Sequence, residues 1–171
     1  MAELTQQERL QPSLLDRLTD EEPDKRQESR EQRVLSLRRL REGVRRDLAW
    51  LLNTGHLAST EDLTPFPAIA RSVLNYGIPD LAGATASSAD VGSLERLIRQ
   101  AVWDFEPRIL RNTVRVKAMV DDAQMGHNAL TFVIEGELWA QPVPLHLLLK
   151  SDIDLETGAV LVTEHDGQGF G

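Results

Sequence analysis

The stretch Trp103-Asp104-Phe105-Glu106-Pro107-Arg108 decides the fold, because one proline there forces the backbone to change state. Before it, Val91, Leu94, Leu97, Ile98, Ala101, Val102 and Phe105 recur at spacings of three and four, which is one apolar face of a helix. After it, Val114, Val116, Ala118 and Val120 alternate with Thr113, Arg115, Lys117 and Met119, the pattern of a half-buried strand. Pro107 lacks an N–H and disfavours helical geometry at Glu106, so the helix is expected to end near Phe105. If Glu106 to Arg108 is extended, a carboxylate and a guanidinium leave a rigid elbow on the same side. A helix C-terminus disfavours anions by roughly 0.3–1 kcal/mol, so Glu106 calls for a cation. That cation is either Arg108, in a local pair, or a group supplied by another chain or a buried element.

Outward from the elbow, the chain reads as helices followed by strands. Leu37, Leu40, Val44, Leu48 and Leu51 mark the strongest helix, over residues 33–52, with Asn53-Thr54-Gly55 as its stop signal. Its other faces carry Arg33, Arg38, Arg39, Arg41, Arg45 and Arg46, read as a solvated face balanced by Glu42, Asp47 and acidic residues upstream. Residues 55–90 are irregular, with a helical turn from Ala68 to Leu74 and an ordered loop, Asn75 to Leu81, packed on the core. Asp90 or Ser88 can cap the helix that ends at the elbow. Strands follow near 130–138, 145–155 and 159–163, the last two joined by a tight turn with Gly158 in the left-handed position. The expected fold is α+β: N-terminal helices, then a small, mostly antiparallel sheet of three to four strands whose edges must be protected or used.

The first 32 residues differ in character. Ser13 can cap a short helix carrying Leu14, Leu15 and Leu18, and the polar stretch after it reads as a solvated linker. So short a helix is marginal alone, and its leucines must dock on this domain or on a partner. The domain plan is therefore residues 1–32 as a segment with a docking helix and linker, 33–165 as the folded domain, and 166–171 as a flexible tail.

Charge and composition exclude several functions. The 171 residues carry a net charge of −8 and no cysteine. Residues 1–50 balance eleven basic against eleven acidic side chains, so the whole excess lies beyond them. Such a fold repels nucleic-acid phosphates. No apolar run is long enough to span a membrane, and the first residues lack a secretory pattern, so a cytoplasmic protein is expected. The four histidines are scattered without metal-ligand spacing, and no cofactor motif is present, since Asp166 to Gly171 has no helix after it to hold a phosphate. Glycoside hydrolysis needs two carboxylates across a cleft. Glu106 is the one tempting acid, but an arginine two residues away favours its charged form, the wrong state for a proton donor. No catalytic residue is assigned.

The order SLLDRL (13–18), RRDLAWLLNT (45–54), SVLNYGIPDL (72–81), WDFEPRI (103–109) and LTFVIEGEL (130–138) resembles the TssE family. These are type VI secretion baseplate wedge subunits, related to a contractile-phage wedge protein and loosely called lysozyme-like. The likeness spans roughly residues 13–163. It implies a structural protein, cytoplasmic in a baseplate at the inner membrane, similar in fold to the interlocking domain of sheath subunits. It places Glu106, Pro107 and Arg108 on the family's wedge-assembly motif. It further implies wedge partners of the TssF, TssG and TssK type and sheath partners of the TssB and TssC type, with an extended sheath arm adding as a strand to an open edge. Leu14, Leu15 and Leu18 join the expected partner interface on their apolar pattern alone. The competing expectation is a peptidoglycan-cleaving hydrolase with Glu106 as acid.

Overall fold

The computed structural model describes residues 13–19, 37–82, 90–119, 129–139, 144–165 and 167. The acidic linker, the 83–89 connection, the turn at 120–128 and nearly all of the 166–171 tail lie outside the described residues.

Three helices precede the sheet: α1 (Leu14–Leu18), α2 (Leu37–Leu52) and α3 (Val91–Phe105). Ser13 caps α1 in a reciprocal box with Asp16, as its position before the leucines predicts. Asp90 caps α3 by accepting the Ser93 N–H. Four strands follow, β1 (Arg115–Met119), β2 (Ala129–Leu138), β3 (Leu145–Asp154) and β4 (Val160–Glu164), in one antiparallel sheet of order β1-β2-β3-β4. This is the expected α+β meander. Gly158, at φ +75°, closes the β3–β4 turn where a side chain would be strained.

α2 packs along β4 and α3 along β1, so the helices cover one face of the sheet. Between the layers lie Val44, Leu48, Leu51, Ile98, Val102, Phe132, Ile134, Leu149, Ile153 and Val162. Each such aliphatic or aromatic side chain contributes roughly 1.5–3 kcal/mol on leaving water. The segment between α2 and α3 breaks into short 3₁₀ turns, including Ile69–Arg71 and Val73–Asn75, rather than one helical turn. Ser72 divides them: its backbone is extended and its hydroxyl accepts the Leu74 N–H. Beyond them Ile78 pairs with Gly55, and any Cβ on Gly77 would strike the Thr54 carbonyl. The loop is ordered and its isoleucine buried, as expected.

The arginines of α2 are more than a solvated face. Arg41 Nη2 donates to the His146 carbonyl at 2.9 Å and Arg45 Nη1 to the Val162 carbonyl at 3.3 Å. Arg38, paired with Glu42 one turn on, fits the simple surface reading. Asn53 completes the seam, donating to the Val160 carbonyl at 2.7 Å and accepting the Val160 N–H at 2.9 Å. Three outward backbone groups of β4, the Val160 N–H and the Val160 and Val162 carbonyls, are thereby occupied by α2 and its C-terminal turn.

The candidate interface: a charged elbow and a leucine helix

α3 ends where Pro107 requires. Its last helical bond runs from the Glu106 N–H to the Val102 carbonyl at 2.9 Å. The next residues form a turn, closed by the Ile109 N–H on the Glu106 carbonyl at 3.2 Å, not the extended run the spacing allowed. The chain then lies against the end of β2, with Leu110 N–H on the Glu137 carbonyl and Trp139 N–H on the Arg108 carbonyl, both at 2.8 Å. Close packing at that point relies on Gly136, since a Cβ there would come within 2.7 Å of Ile109 Cγ2. Helix, turn and strand fix the elbow from three sides.

Glu106 and Arg108 meet because of that turn. Glu106 Oε1 accepts the Arg108 backbone N–H at 3.1 Å and Arg108 Nε at 2.7 Å, while Oε2 takes Nη2 at 2.5 Å. Glu106 is only 4% exposed. Of the cations expected for it, the described residues supply the local one: the carboxylate is held by its own neighbour, Arg108. Pro107 is exposed, and the Arg108 side chain retains 24% of its surface.

The pair continues into a longer charge chain that sequence reading did not connect. Arg108 Nη2 also binds Asp47 Oδ2 at 2.5 Å. Asp47 Oδ1 takes Arg46 Nε at 2.9 Å, and Arg46 Nη1 binds Asp16 Oδ1 at 2.7 Å. Acid and base alternate from α1 through α2 to the elbow. Burial by itself lowers the Arg108 pKa, but the hydrogen bonds and charge of Glu106, then of Asp47, outweigh it and hold the guanidinium above its ordinary value. Burial raises Asp16, yet bonds from Ser13 and Arg46 hold it below the usual carboxylate range. Gly43 makes room at the centre. A Cβ there would sit 3.5 Å from Asp16 Oδ2 and 3.7 Å from Arg108 Nη1, so both charged groups lie directly on α2.

α1 is thus tied down by charge rather than by its leucines. Leu14, Leu15 and Leu18 are 71%, 41% and 74% exposed. Leu14 and Leu18 stand largely in solvent, and Leu15 is partly covered. Asp104, the other carboxylate near the elbow, turns away from Glu106 and is held by Gln100 at 2.7 Å, with Arg71 and Arg111 at 3.4 and 3.6 Å. Trp103 beside it lies between Arg99 and Arg111, 5.2 and 5.0 Å from their guanidinium carbons. Among the described residues no group of three or more His, Asp or Glu is placed to hold a metal ion.

Residues 38–143 match the family of baseplate wedge protein gp25, and the chain belongs to that family. The family defines a structural role in the baseplate of a contractile injection machine. The match contains the elbow and the Asn75–Leu81 loop, while α1, β3 and β4 lie beyond it. No curated protein and no solved structure matches the chain.

Proposed function

We propose that the chain is a TssE-type wedge subunit of a type VI secretion baseplate, cytoplasmic and assembled at the inner membrane, that helps nucleate the sheath. The observation carrying this reading is the charge chain from Asp16 to Glu106. It fixes α1 and the elbow on one rigid surface, from which the leucines and Pro107 face outward. Wedge subunits of the TssF, TssG and TssK type would take the leucine stripe and the Pro107–Arg108 corner. Sheath subunits of the TssB and TssC type would meet the sheet, where an extended arm can continue the ladder.

The hydrolase reading finds little support. A general acid needs access to substrate, and Glu106 is buried beneath a guanidinium that also bridges it to Asp47. A cavity of about 300 Å³ between the Asn53–Gly55 turn and the β3–β4 turn has Asp80 as its one carboxylate and does not include Glu106. Neither place sets two carboxylates across a sugar-sized gap.

Replacing both Leu14 and Leu18 by Ala tests the wedge contact, because neither side chain is buried in the fold. Recovery of TssF- and TssG-type subunits with the tagged chain should fall sharply while its melting temperature is unchanged. Undiminished recovery would remove the leucines from the interface.

A further inference from the structure

The two outer strands of the sheet are treated differently. On β4 the side chains of Asn53 and Arg45 occupy the Val160 N–H, the Val160 carbonyl and the Val162 carbonyl. β1 has a lighter cover. The Ala118 N–H points away from β2 and donates to Glu95 Oε1 of α3 at 2.9 Å. In an antiparallel ladder alternate residues face the same edge, so the Val116 N–H and carbonyl and the Ala118 carbonyl face outward too. Among the described residues nothing bonds these three groups.

We propose that β1 is a guarded acceptor edge: Glu95 covers it in the free protein and gives way to an extended segment that alternates apolar and acidic side chains. This rests on the reading above that the sheet takes a strand from a partner. A carbonyl of the incoming strand and the Glu95 carboxylate compete for the same N–H. Glu95 is half-exposed, so on displacement it returns to water without stranding a buried charge. A single side-chain guard also serves the free protein, because an uncovered edge pairs indiscriminately.

The strand's own residues define what fits beside it. Toward the helices β1 presents buried Val116 and half-buried Ala118, which suit apolar neighbours. Toward solvent it presents Lys117, whose cross-strand neighbour on β2 is Val133 and so supplies no counter-charge. An acidic residue placed opposite Lys117 on the incoming strand gains a favourable pair, and a basic one is repelled. Arg115 on the same side already faces Glu135. The segment selected is therefore apolar inward and acidic outward.

Two labelled eight-residue peptides, alternating Val with Glu and Val with Lys, test this by fluorescence anisotropy against the full chain. The acidic peptide should bind, shifting the amide resonances of Val116 and Ala118, and the basic one should not. Glu95→Ala should tighten the acidic peptide about tenfold, the equivalent of one freed hydrogen bond. Lys117→Glu should reverse the preference. Equal affinity of wild type and Glu95→Ala would overturn the guard while leaving the edge reading intact. Failure of both peptides to bind both wild type and Glu95→Ala, or binding without shifts at Val116 and Ala118, would overturn the edge reading itself. Equal binding of both peptides would overturn the acidic preference.

Discussion

The Arg108 guanidinium grips the Glu106 carboxylate with two nitrogens, Nε at 2.7 Å from Oε1 and Nη2 at 2.5 Å from Oε2. A fork of this kind is directional as well as strong, and it locks the turn after α3 in one conformation. The elbow is thus a joint whose electrostatics are settled inside the chain before any partner arrives.

Breaking that fork should be costly. Arg108→Ala leaves the buried Glu106 charge uncompensated, an expected loss of about 3–5 kcal/mol of folding stability. Arg108→Lys keeps the charge but cannot serve both Glu106 oxygens and Asp47, so it should lose about 1–3 kcal/mol. Urea denaturation of the three proteins measures both. A loss below about 1 kcal/mol for Arg108→Ala would match an exposed pair and contradict the geometry.

Tyr76 reports the same charges from the other side. It is the chain's only tyrosine, its ring meets Phe105 edge-on at 5.2 Å, and its hydroxyl donates to the Asp47 carbonyl. Burial raises its pKa, and the charges of Asp47 and Glu106 raise it further. An ultraviolet titration of the folded protein should therefore show phenol ionisation above the ordinary value of 10.0. Because the folded value is raised, Tyr76 contributes stability that is complete below pH 10 and lost as pH rises through the folded pKa. Asp47→Asn should move the midpoint down.

α1 should come free at acid pH. Asp16 is held below its ordinary 3.8, so its stabilising contribution is complete above that value and vanishes as pH falls through the lower folded pKa. Amide exchange of residues 14–18 should be protected at pH 6 and lost at that pH in Asp16→Ala. The rest of the fold should lose no more than about 1 kcal/mol in that variant, as expected for a partly exposed ion pair. Retained protection in Asp16→Ala would mean that the leucines, not the charge, hold α1.

Asn53→Ala tests the closed edge. It strips the cover from both backbone groups of Val160, at an expected cost of about 1–3 kcal/mol. It should also make the chain self-associate, visible by light scattering, because β4 would then be open to pairing. A variant that stays monomeric and fully stable would show that the edge is protected by other means.

Legibility from sequence followed the range of the interaction. The apolar stripe of α2 from Leu40 to Leu51, the Pro107 stop, the Ser13 and Asp90 caps and the Gly158 turn are written in neighbouring residues, and each lies where its pattern places it; Leu37, at the start of that stripe, is exposed. The Glu106–Arg108 pair was legible too, but not its closure within the chain, because burial of Glu106 depends on the whole packed layer. Asp47 joins Arg108 across 61 positions and Asp16 joins Arg46 across 30, with no periodicity to announce either. Arg41 and Arg45 read as surface charge for the same reason: their acceptors are backbone carbonyls more than a hundred residues away. Backbone acceptors carry no signature in side-chain composition.

The central claim is that this chain builds a baseplate instead of cleaving a substrate. Co-expression with TssF-, TssG- and TssK-type subunits, followed by size-exclusion chromatography, tests it most directly. The account expects the chain to elute with those subunits in one complex, and the isolated protein to leave purified peptidoglycan uncleared. Elution of the chain alone, with peptidoglycan clearing that Glu106→Gln abolishes, would contradict it.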